Sequence, residues 1–181
     1  MTVVEVLRHG KAFSRKRWSG PGDRERPLTD EGWHQAKVLV PDLMEDGPIT
    51  AIVSSPLLRC TQTVDPLAGA LGLPLVTDER LAELRTLPVT DDGSAWVASA
   101  WLGGRAVGLV DELVDDHPDA TVVICTHGDV IPALLAVLAG RDGFELTDAR
   151  VKKGARVALT FDGGRCVMAT PVDQVPKYPA V

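Results

Sequence analysis

Val3-Val4-Glu5-Val6-Leu7-Arg8-His9-Gly10 and Val122-Val123-Ile124-Cys125-Thr126-His127-Gly128 are two short runs rich in β-branched residues, each closed by the same His-Gly dipeptide. Such runs read as β-strands. Parallel strands of an open α/β sheet bring their carboxyl ends to one edge, where ligands bind, so the two imidazoles are expected to meet there. A third run, Ala51-Ile52-Val53-Ser54-Ser55, is followed by Pro56 and, about one helical turn on, by Arg59. Its guanidinium should reach the same edge. Two histidines and two arginines suit a phosphate group, because the guanidinium fork stays ionised and binds phosphate oxygens in pairs.

Outward from these runs the pattern alternates strand and helix, which predicts a three-layer α/β fold: a mostly parallel sheet with helices on both faces. Thr29 is placed to cap a helix whose apolar Trp33, Ala36, Val40 and Leu43 recur at helical spacing, with Pro41 a source of a kink. Pro56 stands at a favoured first helical position, Pro66 should bend or break that helix, and Gly72 should stop it. Leu75-Val76-Thr77 reads as a short strand. An irregular connection from Leu87 to Gly93 leads into a helical stretch from Ser94 to His117, weakened by Gly103-Gly104, with Trp96, Ala100, Val107, Val110 and Leu113 as its core face. The unbroken run Thr121 to Thr126 should be central. Pro132 is expected to start a helix through Leu138, and Arg156 to Phe161 with Cys166 to Ala169 to close the fold as a hairpin around Asp162-Gly163-Gly164. Pro171, Pro176 and Pro179 imply an extended finish.

At 181 residues and 45% hydrophobic composition, the sequence is expected to form one domain with its own core. Val130 to Ala139, the longest apolar stretch, is far short of the roughly 20 residues of a spanning helix. The first apolar run is interrupted by Glu5 and has no basic leader, so a cytoplasmic location is expected. Cys60, Cys125 and Cys166 are odd in number and widely spaced, a pattern of buried thiols rather than a disulfide framework or zinc cluster. The net charge of -6 is uneven: residues 1 to 26 carry seven bases against three acids. A local basic excess on an acidic body fits a small anionic ligand better than a long nucleic acid, which needs an extended basic face. For Arg15 to Arg17 a solvated loop is an equally good reading.

The ordered set Arg8-His9-Gly10, Pro27-Leu28-Thr29-Asp30-Glu31-Gly32 with Gln35-Ala36, Ser54-Ser55-Pro56 with Arg59 and Thr61-Gln62-Thr63, and Thr126-His127-Gly128 resembles the histidine phosphatase superfamily, the phosphoglycerate mutase-like family. The resemblance spans about residues 3 to 130. It implies that His9 is the nucleophile, forming a phosphohistidine that water cleaves, and that Arg8, Arg59 and His127 grip the non-bridging oxygens. It also implies a proton donor. Glu83 matches the acidic position of the mutase-like branch, with Glu79 and Asp129 as alternatives; a structural pairing of Glu83 with Arg80 or Arg85 is the competing reading. The small size resembles the SixA-type branch, whose members act on protein phosphohistidine, with a minimal cap at about Thr86 to Gly93 and too little room for a mutase.

The run Arg26-Pro27-Leu28, with Ile124-Cys125-Thr126 and Val130-Ile131-Pro132, is similar to the phosphatase-like module fused to actinobacterial Nudix hydrolases. That likeness adds nucleotide or dinucleotide polyphosphates as substrates. The basic loop from Lys11 to Gly22, with Arg15, Arg17 and Trp18, would wall the site. His34 and His117 lack ligand spacing and read as surface groups, and no metal or cofactor is implied. The expected partner is a phosphorylated small molecule or a phosphohistidine protein, without nucleic acid or membrane. A phosphate-binding module without turnover is the alternative of another class.

Overall fold

The computed structural model describes residues 1–45, 47–83 and 95–172. Their elements are β1 (Thr2–Arg8), α1 (Asp30–Glu45), β2 (Ile49–Ser54), α2 (Leu58–Leu71), β3 (Leu75–Thr77), a short 3-10 turn (Glu79–Leu81), α3 (Ala95–Asp116), β4 (Thr121–Thr126), α4 (Val130–Asp142), β5 (Arg156–Asp162) and β6 (Arg165–Val172). The six strands form one sheet in the order β3-β2-β4-β1-β5-β6. β3, β2, β4 and β1 run parallel, while β5 is antiparallel to β1 and forms a hairpin with β6. The fold is therefore α/β with a mostly parallel sheet.

β4 lies in the interior of the sheet, and all six of its residues are buried. Alternate residues feed two cores. Val122 and Ile124 join Val4 and Val6 against α3 and α4, whereas Val123 and Cys125 join Leu7 and Ile52 against α1 and α2. Helices thus cover both faces, which is why β4 reads as apolar throughout. The one acid inside β1, Glu5, is 2% exposed and pairs with Arg156 on the neighbouring β5 at 2.7 Å.

Several local expectations are corrected by tertiary packing. α1 and α2 run through Pro41 and Pro66 without ending; apolar contacts on both sides of each proline outweigh the roughly 3 kcal/mol cost of an interior proline. Pro56 lies two residues ahead of α2, whose cap position is Leu57, and the Leu58 amide turns outward to donate to the Arg24 carbonyl at 2.8 Å. Gly72 does stop α2, with φ of 65°. In α1, Leu39 and Gln35 are buried while Trp33 and Val40 are only partly so. α4 begins at Val130, with the Asp129 side chain accepting from its amide at 3.0 Å, so Pro132 sits inside the first turn.

α3 is continuous through Gly103-Gly104. Trp96 is 75% exposed and Ala100 is exposed too, because the buried face is set by Leu102, Ala106, Leu109, Val110 and Leu113 against α4 and the sheet. His34 and His117 are half-buried, and the latter shares a hydrogen bond with Thr50 at 3.0 Å. The connection Leu87 to Gly93, the segment Thr86 to Gly93 and the prolines at 176 and 179 lie outside the described residues. No described helix is long and apolar enough to cross a membrane.

At Gly103 the backbone of α3 lies tight against α4. A Cβ there would stand 2.5 Å from the Ala133 carbonyl oxygen, whereas one on Gly104 would have nothing within 4 Å. Gly103→Ala is expected to lower stability by about 1–3 kcal/mol, and Gly104→Ala to raise it by up to about 1 kcal/mol. Equilibrium urea unfolding reads both; equal shifts would contradict this packing.

Candidate active site

β1, β4 and β2 all end at one sheet edge, and three of the sequence-singled residues follow directly from those ends. The His9 amide donates to the Thr126 carbonyl at 3.1 Å, and the Ser55 amide to the Cys125 carbonyl at 2.8 Å, so the backbone ladder itself carries the chain into the site. The rings of His9 and His127 lie 5.3 Å apart between centroids, edge to face. Chain connections leave β1 toward α1 on one face and β4 toward α4 on the other. Such a divergence opens a crevice at the carboxyl ends of the strands.

Both imidazoles are held rigidly. His9 is 5% exposed, and its Nδ1 lies 2.7 Å from the Gly10 carbonyl oxygen, an acceptor, so Nδ1 carries the proton and Nε2 keeps a lone pair. His127 is fully buried. Its Nε2 is 2.8 Å from the Ser55 hydroxyl, and its Nδ1 faces Glu83 Oε2 at 3.5 Å. A carboxylate accepts only, which puts the proton on Nδ1 and lets Ser55 donate to Nε2. The Cys60 thiol, buried, packs against the same ring at 3.4 Å.

Burial pushes the His9 pKa down to about 3, helped by the charges of Arg59, Arg8 and Lys153. Burial likewise pushes His127 down to about 2, with Arg59 the next cause. Both rings are neutral at pH 7.

Arg59 is 0% exposed. Its Nη1 donates to the Asp23 carbonyl at 2.9 Å and its Nη2 to Glu83 at 2.5 Å and to the Asp23 carboxylate at 3.3 Å. Arg8 donates through Nη1 to the Val151 carbonyl at 2.8 Å. The Nε of each arginine is buried with no hydrogen-bond partner among the described residues. Unpartnered buried donors of this kind are costly, and an oxyanion is a group that can satisfy such a donor. Glu83 also holds Arg15, so its carboxylate faces two guanidiniums and the His127 ring. It does not pair with Arg80, which is taken by Asp78 and Glu112, and Arg85 lies outside the described residues. Of the alternative acids, Glu79 pairs with Arg24 at 2.6 Å and Asp129 caps α4.

In the basic loop, Arg15 reaches the site and Arg17 is exposed. Trp18 is turned into the loop itself: its Nε1 donates to the Gly22 carbonyl at 2.8 Å and its ring packs on Phe13. The sequence reading missed Asp23, whose carboxylate grips Arg26 at 2.7 Å as well as Arg15 and Arg59. It also missed Arg26 as a site residue; 7% exposed, this arginine anchors the loop through the Phe13 carbonyl at 2.6 Å. Lys153 was missed as well. The available signal was a pair of lysines, Lys152-Lys153, just ahead of β5, whose start adjoins the end of β1.

The chain matches the family model of the histidine phosphatase superfamily (branch 1) over residues 4–91 and 99–174. It is 33% identical over 172 residues to an 8-oxo-(d)GTP phosphatase of Mycolicibacterium smegmatis, covering 92% of this chain but 47% of that protein. The chain thus spans about half the length of that relative. A probable phosphoglycerate mutase GpmB of Yersinia pestis (strain Pestoides F) is 39% identical over 164 residues, 77% of this chain and 76% of its own. The solved structure of the protein histidine phosphatase SixA complexed with tungstate superposes with a TM-score of 0.62 at 20% identity, covering 94% of each chain; this shows a shared fold.

For both imidazoles the unfolded pKa of about 6.5 lies above the folded value, so the unfolded chain binds more protons as pH falls. Their contribution is fully present above about pH 6.5 and is lost on acidification. Each ring adds a slope of up to about 1.4 kcal/mol per pH unit. Unfolding free energy measured between about pH 5 and 6.5, above most carboxylate titrations, should therefore drop on acidification, and His127→Gln should remove about half of that slope. An unchanged slope would contradict the buried neutral ring.

Proposed function

Because the chain belongs to the histidine phosphatase superfamily, branch 1, we propose that it hydrolyses phosphomonoesters or phosphoramidates through a covalent phosphohistidine on His9, with no metal ion required. The observation that carries this reading is the 2.7 Å hydrogen bond from His9 Nδ1 to the Gly10 carbonyl, made inside a cage of arginines. It fixes the tautomer and aims the Nε2 lone pair at an incoming phosphorus. The lowered pKa keeps that lone pair free of a proton at neutral pH.

In the first step the substrate phosphate, arriving as its monoanion, passes its proton to the Glu83 carboxylate; Nε2 forms a bond to phosphorus while the bond to the leaving group breaks, and the leaving atom takes that proton from Glu83. Arg8, Arg59 and the Nδ1–H of His127 hold the non-bridging oxygens, where charge spreads in the transition state. An arriving phosphate competes with Glu83 for Arg59 and Arg15, releasing the carboxyl for proton transfer. In the second step water attacks phosphorus, Glu83 takes back a proton, and the bond to His9 breaks to free phosphate and the neutral imidazole. The fixed guanidiniums supply the charge compensation that a divalent ion supplies in other phosphoryl-transfer sites.

Two substrate classes fit this cage. A SixA-like protein phosphohistidine phosphatase is the first, supported by the shared fold. A nucleotide or dinucleotide polyphosphate phosphatase is the second, supported by the 8-oxo-(d)GTP phosphatase relative and by a cationic cavity beside the cage. In either case Arg15, paired with Asp23 and Glu83, brings the basic loop to the cage.

With EDTA present, the purified protein is expected to hydrolyse p-nitrophenyl phosphate, and His9→Ala to lose activity by about 10³-fold or more. Full activity in His9→Ala would overturn the nucleophile assignment. Glu83→Gln is expected to lose about 10²–10⁴-fold on alkyl phosphates, the range of general acid catalysis, and less on nitrophenyl phosphate, whose leaving group needs no proton. Equal losses on both would remove Glu83 from proton transfer.

A further inference from the structure

A second cavity, of about 450 Å3, adjoins the cage and is lined by Arg8, Gly128, Asp148, Arg150, Val151 and Lys152. Arg8 belongs to both spaces, lining the cavity and acting on His9 with its charge. Gly128 makes room for it: a Cβ at that position would stand 2.5 Å from the Arg8 Cζ, so only a bare backbone lets the guanidinium lie flat across the end of β4. The Nη1 of Arg8 is tied to the Val151 carbonyl on the cavity side, and its Nε is buried without a partner among the described residues.

Three cations therefore line this space against one acid, Asp148, which is itself paired with Arg150 at 3.2 Å. Lys153 adds to the excess. Its ammonium is disfavoured by burial and by the nearby charges of Arg8, Arg26 and Lys11, so it stands in the same positive field as the cage. None of the described lining residues is aromatic, so none of them offers a ring to a base, and the volume lies in the range of small-molecule sites. A protein phosphohistidine presents one phosphoryl group and would leave these cations without an anion.

Building on the phosphatase reading above, we infer that the cavity takes a second phosphate of the substrate, held at Arg8 beside the phosphoryl group transferred to His9. The substrates are small molecules with two phosphate groups, either joined directly as an anhydride or carried on separate carbons. For an anhydride, His9 Nε2 bonds to the terminal phosphorus as the bridging P–O bond breaks, and the remaining phosphate leaves with the electron pair. Water then adds to phosphorus and the P–N bond breaks, so that anhydride and water yield two phosphates. The Arg8 guanidinium, contacting both groups, holds the leaving phosphate as charge builds on it.

The test measures binding, so that it stands apart from turnover. Methylphosphonate, methylenebisphosphonate and propane-1,3-bisphosphonate are titrated calorimetrically into wild type and Arg150→Ala/Lys152→Ala, in about 0.3 M salt to screen distant charges. At least one bisphosphonate should bind wild type about tenfold more tightly than methylphosphonate, as expected for added charge-assisted hydrogen bonds, and the double variant should erase the preference. Preference for the methylene-linked probe assigns anhydrides; preference for the propane-linked probe assigns separated phosphates. A wild-type preference below about twofold, or one that survives in the double variant, would overturn the second phosphate site. Failure here with His9-dependent hydrolysis intact removes the cavity alone, whereas an intact preference in a protein that hydrolyses nothing removes the phosphatase reading.

Discussion

Two carboxylates, Asp23 and Glu83, hold together guanidinium groups that would otherwise repel one another. Arg15 and Arg59 are each bound by both acids, and Arg26 is bound by Asp23. Like charges at such range cost several kcal/mol at low dielectric, so the cage exists only because these acids are interleaved with it. Not every donor is taken: Nε of Arg8 and of Arg59 are buried without partners among the described residues. The result is a largely buried positive cluster suited in charge to an oxyanion. Preorganised donors of this kind need little rearrangement as charge develops on phosphorus.

The same field governs the histidines. Burial disfavours the charged form of each imidazole, and the nearby guanidiniums add to that, which leaves both His9 and His127 neutral. A neutral ring has one donor and one acceptor nitrogen, and the partners decide which is which. For His9 the Gly10 carbonyl turns the lone pair toward the cage, and for His127 the Ser55 hydroxyl and Glu83 turn a donor toward it. The sheet supplies the alignment, since β1 and β4 are adjacent and parallel with Arg8 opposite Thr126. Two residues far apart in sequence are thereby brought within one ring contact of each other.

Much of this was legible before any coordinates. β3 and β4 have the bounds their composition implies because strand-forming runs flanked by turn residues leave little freedom. The Gly163-Gly164 hairpin is equally local. What was not legible is what depends on distant packing. Periodicity shows that Trp96 and Ala100 share a face with Val107, but not that this face is exposed at Trp96 and Ala100. The interior proline at 66 looks like a break until the core on either side of it is counted. Asp23 and Lys153 belong to connections, and no local pattern says that one folds under Arg59 while the other stands beside Arg8. Glu83 was marked by family resemblance, and its ties to Arg59 and Arg15 appear only in three dimensions.

The central claim is that a neutral His9 accepts the phosphoryl group. It is tested most directly by mixing the protein with radiolabelled phosphorylated substrate, quenching within the first turnover and locating the label by peptide mass spectrometry. The account predicts label on His9, stable in alkali and released by acid, as phosphoramidates are. Label on a hydroxyl or carboxylate residue, or single-turnover release of phosphate with no labelled enzyme, would contradict it.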